Sequence, residues 1–112
     1  KKYLKFIKKF DREFVGINYD IGNSASYGFN PNEEISLYGK YVDNVHIKDR
    51  LYNGKTVPLG QGNADFLTVF KKLKQINYKG NFILQGARSK NNQHALVVKE
   101  YRNFITKLLM NL

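Results

Sequence analysis

Three short apolar stretches set the terms on which this chain can fold. They are "FVGINYD" (residues 14–20), "YVDNVHIKD" (41–49) and "YKGNFILQGAR" (78–88). Each has the length of a strand, and each runs out on a polar side chain: Asp20, His46 and Gln85. The stretches between them have helical spacing. Short strands separated by crossover helices cannot pair through tight antiparallel turns. The pattern therefore predicts an α/β protein with parallel strands near 15–20, 42–48 and 81–86 in that chain order, and helices outside the sheet. Open or closed, such sheets bind ligands at the C-terminal ends of their strands. Asp20, His46 and Gln85 are accordingly expected on the floor of one site.

The intervening segments carry their own signals. Residues 1–10 set Tyr3, Leu4, Phe6, Ile7 and Phe10 between lysines, the spacing of an amphipathic helix. "NPNEEISLYGK" (30–40) opens with Asn30 and Pro31, a cap and a first-turn residue, and closes at Gly39, which predicts a short helix. "RLYNGKTVPLGQGNAD" (50–65) is rich in turn residues, with Asn53-Gly54 suited to the tip of a small hairpin. Asn63 or Asp65 then caps a helix whose apolar stripe is Phe66, Val69, Phe70, Leu73 and Ile76. From about Asn92 to Leu112 a long helix is expected to bury Leu96, Val97, Tyr101, Phe104, Ile105, Leu108 and Leu109. No internal repeat or low-complexity linker divides the chain, so residues 1–112 read as one domain.

Composition narrows the classes. With 112 residues, 42% of them hydrophobic, the chain can bury one modest core. The absence of cysteine removes disulfides and thiolate metal sites. No apolar run approaches the roughly 18 residues of a membrane span. The basic start also lacks the apolar centre of a signal peptide. A cytoplasmic protein with no membrane partner is the expectation. The formal charge of +10 would attract polyanions. All but four of the 19 basic residues are Lys, however, spread along helical segments. Lys, Asn, Ile, Tyr and Phe also share AT-rich codons, so charge alone is a weak argument for a nucleic-acid partner.

In their order and spacing, "DIGNSASYG", "VHIKDR", "VPLGQGNADF" and "NYKGNFILQ" resemble successive segments of the xylose-isomerase-like sugar isomerase and epimerase family, above all its pentulose-phosphate 3-epimerase branch. The resemblance covers nearly the whole chain. Taken alone, "GQGNAD" lacks the third glycine and the setting of a dinucleotide fingerprint. The resemblance implies a (β/α)8 TIM barrel holding one divalent metal ion (Mn, Mg, Zn or Co) with a Glu, an Asp, a His and a second Glu at the ends of its last four strands. Asp20 falls at the Asp, His46 at the His and Gln85 at the second Glu; the first Glu belongs to the preceding strand. The three strands here would be strands six to eight. A barrel of this kind takes about 250 residues. The chain is thus expected to be the C-terminal part of a larger barrel, inactive alone and with two open sheet edges.

Each candidate also has a simpler reading. Asp20 would serve equally as a strand-end aspartate in a turn with Gly22. A lone His46 is more often a hydrogen-bonded core histidine than a ligand, and it is the pairing at matching strand ends together with the family resemblance that favours ligation. Lys48, two residues beyond His46, faces the same way in a strand. Arg50 and Arg88 follow strand ends, where Arg can grip a phosphate through two parallel hydrogen bonds, or lie as solvated charge. Asn23, where many relatives carry His, suits sugar hydroxyls or a cap on the next element. His94 reads as surface. Gly60 and Gly62 read as turn formers whose N–H groups could also meet an anion, and Tyr27 and Tyr52 as loop aromatics suited to a pocket wall.

The family's chemistry is proton transfer at the carbon beside a carbonyl, with metal polarising the oxygens and two Glu residues acting as acid and base. Gln85 departs from it, because an amide takes up no proton near neutral pH and is a weaker, uncharged ligand. Three readings follow: a sugar or sugar-phosphate isomerase or epimerase of altered mechanism, a catalytically impaired barrel that only binds sugar phosphate, and an AP-endonuclease-like DNA repair barrel. The third needs more His and carboxylate ligands than a chain with only His46 and His94 offers readily. The oligomeric state stays open.

Overall fold

A computed structural model describes residues 2–112. In chain order the elements are α1 (Lys2–Ile7), β1 (Ile17–Asp20), α2 (Ile21–Ser26), α3 (Pro31–Tyr38), a 3-10 turn (Gly39–Tyr41), β2 (Val42–Ile47), β3 (Asp49–Arg50), β4 (Thr56–Val57), α4 (Phe66–Gln75), β5 (Asn81–Leu84) and α5 (His94–Met110). β1, β2 and β5 form a parallel sheet in that spatial order, the predicted arrangement. The Asn53-Gly54 hairpin also forms, joining β3 to β4 antiparallel.

Strand alternation sorts the side chains onto two faces. Ile17, Tyr19, Val45 and Ile47 are buried beneath the helices, where Ile21, Ile35, Val69, Phe70 and Leu73 complete the core. Asn18, Asp20, Asn44, His46 and Lys48 take the opposite parity and point away from that core. Asn44 Nδ2 donates to Asn18 Oδ1 at 3.0 Å across this polar face.

The structure departs from the sequence reading in five places. β1 begins at Ile17, because Phe14 turns back to Asp11 (N–H to O, 3.0 Å) and is 79% exposed. α1 ends at Ile7; the first residue of the helix expected over 1–10 lies outside the described residues. Ile21–Ser26 is a helix although six mixed residues show no periodicity to reveal it; Asp20 caps it, Oδ1 accepting the Asn23 N–H at 2.8 Å. Leu96 and Phe104, expected inside α5, are 51% and 37% exposed, while Tyr101 and Ile105 are buried. β5 is an edge strand whose helix-side Phe82 is itself 38% exposed, so α5 rests on a sheet margin too narrow to cover a wide stripe. Ile76, just past the end of α4 and beside Gly39, is 40% exposed, whereas the rest of its stripe is buried.

α3 is fastened to β1 by a buried carboxylate. Glu34 accepts hydrogen bonds from Tyr19 Oη (3.1 Å), Ser24 Oγ (3.0 Å) and Tyr38 Oη. Burial, together with the neighbouring Glu34 charge, pushes both phenols well above the ordinary tyrosine range. Both therefore remain donors at physiological pH, and the charge keeps its partners. Unfolded tyrosines ionise near pH 10. Above that pH the unfolded chain binds fewer protons than the fold, so stability falls by about 1.4 kcal/mol per pH unit for each such group. Urea unfolding at pH 8 and pH 11 should show this loss, and a Tyr19→Phe, Tyr38→Phe double variant should show less of it.

Candidate functional site

The site is built from the register of the sheet. Asp20 of β1 lies opposite His46 of β2, and His46 lies opposite Ile83 of β5. Gln85, just beyond β5, continues that ladder by donating its N–H to the Ile47 carbonyl at 2.9 Å. Parity then sends Asp20, His46, Lys48 and Gln85 to one side of the sheet at one edge. His46 Nδ1 is 3.1 Å from Gln85 Oε1, and Lys48 Nζ is 3.1 Å from Asp20 Oδ2. Which imidazole nitrogen carries the proton depends on which end of the Gln85 amide faces it.

A second group extends this edge along the hairpin. Arg50 donates from Nη1 to Asn23 Oδ1 at 2.9 Å, and from Nε and Nη2 to the Gly54 carbonyl at 3.1 and 2.7 Å. Asn23 in turn places its N–H on Asp20. A connected set thus runs from Lys48 through Asp20 and Asn23 to Arg50, whose guanidinium is committed to holding the hairpin against α2. Arg88 lies apart. It is exposed and lines a cleft of about 350 Å³ with Ser89, His94 and Tyr101. Among the described residues it makes no hydrogen bond to the cluster. His94 Nδ1 accepts the Ser89 N–H at 3.2 Å, which fixes the turn into α5.

Gly60 and Gly62 do meet an anion, and it is Asp49. This carboxylate is completely buried. Oδ2 accepts from the N–H groups of Gly60 and Gly62, both at 2.9 Å, and Oδ1 from that of Ala64 at 3.0 Å. A side chain at residue 62 would bring its Cβ to 2.2 Å from Asp49 Oδ1, so glycine is required there. Sequence reasoning passed over Asp49, yet a signal existed: it shares the parity of Val45 and Ile47, and a carboxylate on the apolar side of a strand needs donors.

A cleft of about 470 Å³ runs along the free edge of β1, lined in part by Asp20, Asn23, Ser24, Tyr27 and Glu34. It reaches the site from the Asp20 side without including His46, Lys48 or Gln85. Tyr52 lines a separate hollow with Gly28 and Asn63. Among the described residues there is no group of three or more His, Asp and Glu side chains placed to hold a metal. The donors that a cation could draw on here are one carboxylate, one imidazole and one amide oxygen, a mixed set compatible in kind with a divalent ion.

Residues 1–108 match the xylose isomerase-like TIM barrel family. The chain belongs to that family. A Haemophilus influenzae protein provisionally named L-ribulose-5-phosphate 3-epimerase SgbU is 33% identical over 95 residues, which are 79% of this chain and 33% of the relative. The L-ribulose-5-phosphate 3-epimerase UlaE of Escherichia coli O1:K1 is 29% identical over 85 residues, 75% of this chain and 30% of UlaE. The crystal structure of a xylose isomerase domain protein from Planctomyces limnophilus superposes with a TM-score of 0.80 at 28% identity, covering 99% of this chain and 44% of that one. The chain therefore spans about a third of the length of these curated relatives, and its sheet corresponds to part of a xylose isomerase-like barrel. No described helix is long and apolar enough to cross a membrane.

Asp49→Ala should leave three N–H groups without their acceptor and lower stability by about 3 kcal/mol. Hydrogen exchange locates the effect: the amides of Gly60, Gly62 and Ala64 should lose protection before those of β2. Unchanged protection at these three positions would contradict the role given to Asp49.

Proposed function

We propose that these residues form part of the active site of a metal-dependent isomerase or epimerase, which moves a proton at the carbon beside the carbonyl of a sugar or sugar phosphate. The observation that carries this reading is the convergence of Asp20, His46 and Gln85 at neighbouring strand ends with Lys48 among them. The relatives' names support the substrate class, since they specify a pentulose phosphate and epimerisation at carbon 3.

Asp20 Oδ2, a ring nitrogen of His46 and Gln85 Oε1 would hold the divalent ion. Bound there, the ion supplies Lewis-acid polarisation of the carbonyl and the adjacent hydroxyl. The remaining work falls to side chains. Lys48 offers an ammonium to a substrate oxygen. Asn23 is turned toward Arg50 and keeps Asp20 oriented through its backbone. Arg88, free at the mouth of its cleft, suits a phosphate. Gln85 can orient an oxygen by hydrogen bonding but cannot accept the proton, so proton transfer at carbon falls to a base other than residue 85.

That same amide favours a second reading, a barrel that binds sugar phosphate without turning it over. Solvent deuterium incorporation into ketoses and ketose phosphates, followed by NMR, separates the two. The full-length protein should exchange the hydrogen beside the carbonyl in the presence of Mn²⁺. His46→Ala should lower that exchange by at least about tenfold, through lost metal affinity. Binding of sugar phosphate with no exchange would favour the binding-only barrel.

A further inference from the structure

We infer that Lys48 is an internal counter-ion of Asp20, and that a divalent cation reaches Asp20 only by displacing it. The inference rests on the reading of Asp20 as a metal ligand, and it concerns what this chain places at that position beforehand. Asp20 has two carboxylate oxygens, and both are engaged. Oδ1 accepts the Asn23 N–H at 2.8 Å as the cap of α2, a bond that cannot be surrendered without freeing the start of that helix. Oδ2 is the oxygen open to a cation, and the Lys48 ammonium sits 3.1 Å from it.

The contact is enclosed rather than a surface pairing. The two side chains are 14% and 13% exposed, so water does little to screen them, and their attraction exceeds that of a solvated pair. The path of Lys48 is also built for this end point. A Cβ on Gly22 would lie 2.9 Å from Lys48 Cγ and from its backbone carbonyl carbon and oxygen. The missing side chain at residue 22 is what lets the lysine stem lie across the first turn of α2 and reach Asp20. Arg50 is tethered by Asn23 and Gly54, which leaves Lys48 as the cation that neutralises Asp20.

Two consequences follow from charge. A divalent ion that takes Oδ2 meets the positive end of Lys48 at close range, so the native lysine weakens metal binding relative to a neutral side chain. Metal occupancy also frees the ammonium from Asp20 beside the metal position, where it can meet a substrate oxygen. Lysine at residue 48 thereby links metal loading to substrate recognition.

Calorimetric measurement of Mn²⁺ binding to the full-length protein and to its Lys48→Met, Lys48→Gln and Lys48→Arg variants tests this. Lys48→Met and Lys48→Gln should bind Mn²⁺ roughly tenfold more tightly than the native protein, the two neutral variants guarding against a misfolded one, while Lys48→Arg should stay near the native value. Equal affinity across all four proteins would overturn the counter-ion inference and leave the metal reading standing. Weaker binding by both neutral variants would overturn it as well, because Lys48 would then assist the site. No Mn²⁺ binding by any of them would remove the metal reading, and this inference with it.

Discussion

β2 is hydrogen-bonded on both sides, to β1 through the pairing of Asp20 with His46 and to β5 through the pairing of Ile47 with Leu84. Every feature of the candidate site descends from that double register. A slip of one residue would turn His46 and Lys48 into the apolar core and bring Val45 and Ile47 out in their place. The completely buried Val45 and the nearly buried Ile47 forbid it, since both would lose their cover. Hydrophobic burial on one face thus fixes polar chemistry on the other. The site is aligned by groups that take no part in it.

Two buried carboxylates, Asp49 and Glu34, hold the frame. Asp49 draws three backbone N–H groups of the 60–64 segment onto the start of β3, next to Lys48, and Glu34 collects three hydroxyls that bind α3 and α2 to β1. Each is a buried charge met by several donors, the condition under which such a group can be tolerated inside a fold. Both lie on the helix side of the sheet. Asp20 and Lys48 lie on the other side and face each other. The polar rows of Asn18, Asn44, His46 and Gln85 lie on the face that the helices leave uncovered, which suits the interior of a barrel ringed by helices.

The sheet, its chain order and the convergence of Asp20, His46 and Gln85 were legible because they depend on period-two alternation and on short strands with helical connections between them. What escaped depended on contacts across the fold. α2 has no periodicity of its own and exists because Asp20 caps it. Asp49 looked like one more charge in "HIKDR" until the loop at Gly60 to Ala64 closed over it. Arg50 read either as a phosphate grip or as solvated charge, and its fork is occupied by Gly54 and Asn23, partners that only the hairpin brings near. Leu96 and Phe104 kept the spacing of a buried stripe, and only the sheet margin shows why they are left exposed. The order of the motifs along the chain carried the functional reading further than any single residue could.

The central claim is that one edge of this sheet gathers Asp20, His46 and Gln85 around a single cation position. Manganese anomalous diffraction from crystals of the full-length protein soaked in Mn²⁺ tests it most directly. The account predicts one strong anomalous peak within coordinating distance of Asp20 Oδ2, a nitrogen of His46 and Gln85 Oε1, with Lys48 Nζ moved away from Asp20. A strong peak at another place in the molecule, with Lys48 still paired to Asp20, would contradict it.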